Sequence, residues 1–186
     1  MSNIHVGWRS RGYLPHFDSP EIVQHIVFRL ADARPPPVMA ETRSLPPSKR
    51  NARILEALWR GHGARLLSNP VLAEIVQDAV LHFDGQRYRL LAWCIMPTHV
   101  HVLVEQMEGH TLSAVVRSWK SFAAKAANEV LGRSGSFWAS EYYDRFMRNE
   151  AHLETSRAYI VNNPVIAGLC KLPEDWRYSS AWNGRS

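Results

Sequence analysis

The feature that most constrains the fold is a pair of apolar runs separated by two residues. Residues 87–96, RYRLLAWCIM, and residues 99–105, HVHVLVE, are typical of buried strands, and Pro97 and Thr98 lie between them. Strands joined by so short a connection are close enough to pair as an antiparallel hairpin. The sequence therefore predicts an antiparallel sheet that contains this hairpin.

Two histidines open the second of these strands. Side chains alternate between the two faces of a strand, so His99 and His101 point the same way, about 6.5 to 7 Å apart along the chain. Two imidazoles on one face can share a metal ion. A chain with nine histidines also places two at this spacing by chance, so the pair alone does not establish a metal site.

The segments before the hairpin supply one strand and two helices. Residues 21–32 alternate apolar and polar side chains and predict a strand, whereas residues 48–60 place apolar side chains on one side of a helix. Proline-rich residues at about 33–49 form a connection between them. Residues 68–83 predict a second helix with Ser68 as its N-cap. The apolar stripe of this helix consists of Val71, Leu72, Ile75, Val76, Ala79 and Val80.

The segments after the hairpin supply two more helices and a short strand. Residues 111–132 predict a helix, and residues 142–147 predict an edge strand. The last helix begins after Asn149 as its N-cap and ends at Pro164. The tail at 174–186 is expected to be irregular. The stripe predicted for the first of these helices is Leu112, Val115, Trp119, Phe122, Ala126 and Val130.

Composition limits the class of protein. A chain of 186 residues suits a single domain, residues 1–186, and its net charge of +5 with a pI near 9.5 makes a nucleic-acid partner worth testing. Cys94 and Cys170 form neither a disulfide framework nor a CxxC metal site. Because the sequence also has no signal-peptide core and no apolar run of about 18 residues, we expect a soluble cytoplasmic protein without a membrane partner.

The order of these elements predicts an α+β fold. The sequence favours a ferredoxin-like or RRM-like sandwich, in which an antiparallel sheet carries its helices on one face. The opposite face of such a sheet is open to a long ligand. His99 and His101 would have to point to that open face to act.

Further metal ligands can come from two places. Glu105 has the same strand parity as His99 and His101 and would complete an HxHxxxE set of the kind found in cupin barrels, although the rest of the chain is mainly helical. Alternatively, Tyr159 and Asn163 lie four residues apart on one face of the last helix, where an amide oxygen can bind a hard cation and a phenol can be a nucleophile. Spacing alone does not choose between them.

Three segments together resemble a known family. Residues 93–105, WCIMPTHVHVLVE, are followed by residues 137–169, FWASEYYDRFMRNEAHLETSRAYIVNNPVIAGL, and by DWRYSS at 175–180. In order and spacing they resemble the single-tyrosine HUH transposases, most closely the REP-associated tyrosine transposases of bacteria. The resemblance covers about residues 85–182, and the HUH motif itself is matched by His99-Val100-His101.

The resemblance implies a role for each matching residue. His99, His101 and Asn163 would hold Mg²⁺ or Mn²⁺, and Tyr159 would be the nucleophile of a catalytic site formed with the two histidines. Attack on single-stranded DNA at a hairpin would leave a covalent 5′-phosphotyrosine and a free 3′-hydroxyl, a step that reverses without a nucleotide cofactor. Three other tyrosines do not occupy the nucleophile position and serve as controls: Tyr142, Tyr143 and Tyr178.

Basic residues in three regions are candidates for binding the DNA strand. Some flank the last helix or lie on the helix before it, and others are mixed with aromatic residues near the start, which suits phosphate contacts beside stacked bases. These candidates are Arg9, Arg11, Arg117, Lys120, Lys125, Arg145 and Arg148.

The sequence leaves alternatives open. A protein that binds hairpin DNA without cleaving it would keep the same basic residues, and the cupin-like metalloenzyme is a more distant possibility. The family resemblance is compatible with a monomer or a homodimer, and it places the protein in the bacterial cytoplasm, associated with the nucleoid.

Overall fold

A computed structural model describes residues 7–10, 15–20, 22–33, 45 and 63–184 of the chain. The predicted helix at 48–60 lies outside these residues, as does the proline-rich connection except for Ala33 and Leu45.

The described residues form two sheets and three α-helices. The strands are β1 (Gly7–Ser10), β2 (Pro15–Asp18), β3 (Val23–Arg29), β4 (Tyr88–Ile95), β5 (His99–Gln106) and β6 (Tyr143–Phe146). The helices are α1 (Pro70–Leu81), α2 (Leu112–Val130) and α3 (Glu150–Ile166), with 3₁₀ turns at Leu66–Ser68 and Pro173–Asp175. Strands β1 and β2 form a hairpin, and the main sheet has the order β4-β5-β3-β6 with every pair antiparallel. The α+β class and the predicted β4–β5 hairpin are confirmed.

The main hydrophobic core lies between one face of the sheet and helices α1 and α2. Alternation in β5 places Val100, Val102 and Val104 on this face, where they pack with both helices. Trp119 of α2 donates from Nε1 to the Tyr88 hydroxyl over 2.8 Å. The two helices and β4 are therefore fixed to one another through buried side chains.

Helix α1 begins one residue later than predicted. Asn69, not Ser68, is the N-cap: its side chain accepts a hydrogen bond from the Val71 N–H over 3.0 Å. Pro70 takes the first helical position, where its missing N–H costs nothing. Val71 is 49% exposed, so it does not belong to the buried stripe.

The buried stripe of α2 is also rotated from its predicted position. Phe122 is 59% exposed and Val130 is 51% exposed, whereas Ala123 and Ala127 are buried. The predicted stripe consists mainly of the large apolar residues of the helix. A helix that packs closely on a sheet can instead place alanines at the contact. Trp119, which is 1% exposed, supplies the bulk at the centre of this contact.

Helix α3 lies against the opposite face of the sheet, so this face is covered and not open as the sequence predicts. Ile160 of α3 packs with Cys94 of β4 and Leu103 of β5 in a second, smaller cluster. Leu103 has the same strand parity as His99 and His101, so these histidines face α3 rather than an open surface.

The predicted end of the last helix at Pro164 is wrong. Helix α3 continues to Ile166, because the Ala167 N–H still donates to the Asn163 carbonyl over 2.9 Å. Proline removes one donor without preventing the following turn. The helix stops near Gly168, which has a φ of 69° that favours glycine.

The tail predicted as irregular pairs with the free edge of β4. The Ile95 N–H donates to the Tyr178 carbonyl over 2.8 Å, and the Ser180 N–H donates to the Trp93 carbonyl over 2.9 Å. Trp176 adds a side-chain hydrogen bond to the Ile95 carbonyl over 3.0 Å. The DWRYSS segment therefore covers a sheet edge that would otherwise expose unpaired backbone groups.

The predicted edge strand is confirmed as β6, which the β1–β2 hairpin holds in place. Asp144 of β6 accepts hydrogen bonds from the His16 ring and, over 3.0 Å, from the Phe17 N–H. Gln24 of β3 donates to the Phe17 carbonyl over 2.6 Å. The hairpin is thereby tied to both β3 and β6, and β6 brings Arg145 beside β3.

Candidate active site

The two histidines of the HVH motif meet at their Nε2 atoms. His99 and His101 are 2% and 0% exposed, and their Nε2 atoms lie 3.0 Å apart. The Nδ1 atom of His99 lies 3.0 Å from the Thr98 hydroxyl. The predicted convergence of the two rings on one sheet face is confirmed.

A third histidine, which is not among the candidates predicted from the sequence, completes this group. His25 of β3 is buried, and its Nε2 lies 3.0 Å from the Nδ1 of His101. The two rings have centroids 5.2 Å apart. A histidine between Val23 and Val27, on the same face of a predicted strand, is the signal that could have identified it.

Burial keeps the three imidazoles neutral. Burial lowers the pKa of His25 to about 3, helped by the charges of Arg145 and His152, and it lowers the pKa of His99 to about 4. Burial is the main cause that holds the pKa of His101 well below 6.5, and the repulsion between a charged His101 and a charged His99 or His25 adds to it. Neutral imidazole is the form that binds a metal ion.

These shifts predict that acid destabilises the metal-free protein. The unfolded histidines take up protons near pH 6.5, whereas the folded ones resist to much lower pH, so stability is fully present above about 6.5 and falls as the pH drops toward 4. We expect a loss of at least about 2 kcal/mol at about pH 5, measured from urea unfolding in EDTA. His101→Gln should flatten this dependence, and His82→Gln, at an exposed histidine, should leave it unchanged. Equal slopes in the two variants would contradict the assignment.

Tyr159 of α3 lies directly beside the histidines. Its ring centroid is 5.9 Å from that of His101 and 6.4 Å from that of His25. Burial raises the pKa of the Tyr159 phenol, and the neighbouring Asn163 side chain lowers it by a smaller amount. A reactive phenolate here therefore needs a further positive charge or a base.

Asn163 lies one turn after Tyr159 on the same face of α3 and is 4% exposed. The described residues contain no group of three or more His, Cys, Asp or Glu side chains that could hold a metal ion, so a third protein ligand would have to be of another type. An amide oxygen is such a ligand for a hard cation.

The two histidines fit an octahedral cation. Adjacent ligands of an octahedral ion with bonds of about 2.1 Å lie about 3.0 Å apart, whereas tetrahedral ligands lie farther apart. The separation of the His99 and His101 Nε2 atoms is 3.0 Å. The donor set is therefore compatible with Mg²⁺ or Mn²⁺.

The cupin-like alternative is wrong. The described chain has a four-stranded sheet with helices on both faces, which is not a cupin barrel. Glu105 is engaged elsewhere: its carboxylate accepts a hydrogen bond from Arg89 Nε over 2.7 Å. Glu105 thus has a partner at the far end of β5 from His99.

The structure separates the basic residues that the sequence grouped together. Arg145 lies opposite His25 in the register of β6 and β3. Its side chain is therefore on the histidine face, the face of the sheet that carries His25, His99 and His101. Arg148 is exposed just before α3. The helix α2, with Arg117, Lys120 and Lys125, packs on the other face of the sheet.

Two of these α2 residues line a separate groove. The groove has a volume of about 480 Å³, and Arg117 and Lys120 lie along it with His16, Phe137 and Trp138. Lys120 also donates to the carbonyls of Ala139 and Ser140 over 2.7 and 2.9 Å. These two hydrogen bonds hold Lys120 to the protein while it lines the groove. Burial lowers its pKa to about 8.

The candidates near the start of the chain are placed only in part. Arg9 belongs to β1, but its side chain is not described, and Arg11 lies outside the described residues.

No helix in the described ranges is long and apolar enough to cross a membrane.

Comparisons with known proteins identify the family. The family model of IS200-like transposases matches residues 67–163. A Haemophilus influenzae protein named provisionally as a REP-associated tyrosine transposase is 25% identical over 103 residues, and the match covers 50% of this chain and 58% of that relative. The structure of a REP-associated tyrosine transposase bound to a REP hairpin has the same fold, with a TM-score of 0.60 and 18% identity over 89% of this chain and 79% of the other. Since the family match spans more than half of the sequence, this chain belongs to the IS200-like transposase family.

Proposed function

We propose that this protein cleaves and rejoins single-stranded DNA beside a hairpin, through a covalent bond between DNA and Tyr159. The observation that carries the proposal is the position of the Tyr159 ring, 5.9 Å from the ring of His101, whose Nε2 meets that of His99. A phenol beside two converging imidazoles provides a nucleophile next to a cation site.

The reaction is a transesterification. The Tyr159 oxygen attacks the scissile phosphorus and forms a P–O bond, while the bond from phosphorus to the 3′-oxygen breaks and that oxygen leaves as a 3′-hydroxyl after taking up a proton. The phenol loses its own proton in the same exchange. Because one phosphoester replaces another, a 3′-hydroxyl can reverse the step and join two strands without ATP.

The metal-binding residues in this proposal are His99, His101 and Asn163. A bound Mg²⁺ or Mn²⁺ supplies Lewis acidity and orients the phosphate. The chain itself buries the two imidazoles in their neutral form and holds Tyr159 and Asn163 one turn apart on α3. Tyr159 and Asn163 thus both lie on the helix that the histidines face.

Two observations favour hairpin DNA as the substrate. The similar transposase structure contains a REP hairpin, and the present chain has a net charge of +5. Arg145 shares the histidine face and suits a phosphate of the scissile strand, while Arg117 and Lys120 line a groove that suits another part of the DNA. Contacts to phosphate would position the strand without reading its sequence.

A covalent-adduct assay tests the proposal. The protein is mixed with labelled single-stranded oligonucleotides that carry the repeats flanking its gene, in Mn²⁺ or in EDTA, and the products are separated under denaturing conditions. We expect a protein–DNA adduct and a shortened free strand in Mn²⁺, and neither in EDTA.

The failures of this assay point to different conclusions. If hairpin DNA is retarded on a native gel but no adduct forms with any divalent metal, the protein is a hairpin-DNA-binding protein without turnover. If the DNA is neither bound nor cut, the proposed substrate is wrong.

The metal ligands give a prediction that needs no DNA. We expect Asn163→Ala to weaken Mn²⁺ binding about tenfold or more, because it removes one ligand of three, as measured by titration calorimetry. Glu105→Ala should leave the affinity unchanged, since that carboxylate pairs with Arg89. The matched control is Asn162→Ala, at the adjacent asparagine that donates to the Ala158 carbonyl. If Glu105→Ala weakens Mn²⁺ binding and Asn163→Ala does not, the metal site includes Glu105 rather than Asn163 of α3.

A further inference from the structure

His25 lies at the centre of β3, between the histidine pair and β6. Its Nε2 is 3.0 Å from His101 Nδ1, and both residues are buried, with 5% and 0% exposure. Strand β3 pairs with β5 in a continuous antiparallel register, so this contact is fixed by the backbone of two adjacent strands. In the register, His25 lies opposite Leu103 of β5 on one side and Arg145 of β6 on the other.

Metal binding by His101 would fix the direction of this hydrogen bond. For His101 to offer its Nε2 lone pair to a cation, its proton must reside on Nδ1, and a buried N–H needs an acceptor. The Nε2 of a neutral His25 is the acceptor within reach, 3.0 Å away. The Thr98 hydroxyl can accept the Nδ1–H of His99 in the same way, since its oxygen lies 3.0 Å from that nitrogen.

We propose that His25 is a positioning residue of the site, which accepts the Nδ1–H of His101 and so holds the His101 Nε2 toward His99. The inference rests on the proposed function only in taking His101 as a metal ligand. Partners of this kind fix the tautomer and the ring orientation of a ligating histidine, and their loss commonly weakens metal binding about 10- to 100-fold.

An apolar residue would satisfy the packing at this position but not the hydrogen bond. Val27 and Leu103, the residues beside His25 on this face of β3 and β5, are apolar, so burial alone does not call for an imidazole there. The chain instead buries a polar ring whose Nε2 faces the ring nitrogen that a ligating His101 must keep protonated. This points to a role in the site rather than in the core.

The test compares two replacements of His25. His25→Gln keeps an acceptor oxygen near the position of Nε2, whereas His25→Leu fills a similar volume without one. We expect His25→Leu to weaken Mn²⁺ binding about 10- to 100-fold and His25→Gln to weaken it by less than about threefold, measured by calorimetry and by Mn²⁺ EPR. Urea unfolding of both variants checks that they remain folded. Equal affinities in the Leu variant and the wild type would overturn the inference.

A second measurement does not depend on any variant. Long-range ¹H–¹⁵N spectra of the ¹⁵N-histidine-labelled protein in saturating Mg²⁺ at neutral pH report which ring nitrogen carries the proton. We expect His101 to carry it on Nδ1, and a proton on Nε2 would overturn the inference. If His101 has the expected tautomer and the His25→Leu variant loses Mn²⁺ while no DNA adduct forms, the proposed function fails and the role of His25 stands.

Discussion

Replacing Tyr159 by phenylalanine should abolish the covalent protein–DNA adduct and lower strand cleavage by at least about 10³-fold, because removal of a nucleophile removes the reaction path itself. Hairpin binding should persist, since the phenylalanine ring keeps the shape of the side chain beside His25 and His101. The measurements are a denaturing gel for the adduct and a native gel for binding.

Tyr143→Phe is the matched control for this variant. Tyr143 lies in β6, paired with Val27, and its hydroxyl is buried with no hydrogen-bond partner in the described part of the chain. Burial raises its pKa to about 12, and the removal of this hydroxyl should be nearly neutral for folding. Loss of the adduct in Tyr143→Phe with full activity in Tyr159→Phe would mean that the nucleophile is Tyr143 of β6 rather than Tyr159 of α3.

The second large effect concerns stability. Trp119→Ala should lower the free energy of unfolding by about 3 to 5 kcal/mol, because it leaves a cavity at the centre of the main core. It also removes the indole N–H that donates to the Tyr88 hydroxyl, which in turn donates to the Val80 carbonyl over 2.7 Å. Urea denaturation at neutral pH measures this loss.

Phe122→Ala provides the comparison on the same helix. Phe122 lies three residues after Trp119 but is 59% exposed, so its truncation should change the free energy of unfolding by less than about 0.5 kcal/mol. Similar losses in the two variants would mean that α2 presents a different side to the sheet.

Much of the site follows from local periodicity. The short connection between residues 95 and 99 predicts the β4–β5 hairpin, and the two-residue period of a strand puts His99 and His101 on one face. The helical period puts Tyr159 and Asn163 on one face of α3. The structure confirms these juxtapositions, and the comparisons confirm the family. The catalytic and ligand roles of these residues stay predictions.

What the sequence did not predict depends on long-range packing. Which side of the sheet a helix covers is decided by the whole set of contacts, and the patterns in α2 and α3 did not specify it. His25 is separated from His101 by 76 positions along the chain, so no local spacing links them. Only the register between β3 and β5 brings the two rings together.

The two sides of the sheet also differ in how much they resist opening. Helices α1 and α2 share a large buried core, whereas α3 contributes only three buried residues of its own: Ile160, Asn163 and Pro164. Local unfolding of a segment costs less free energy when fewer buried contacts must be broken. We therefore expect α3 to separate from the sheet at a lower free energy than α1 or α2. In hydrogen exchange, its amides would open at lower free energy than those of β5. A strand of DNA attached to Tyr159 would then travel with the most readily detached helix of the described chain.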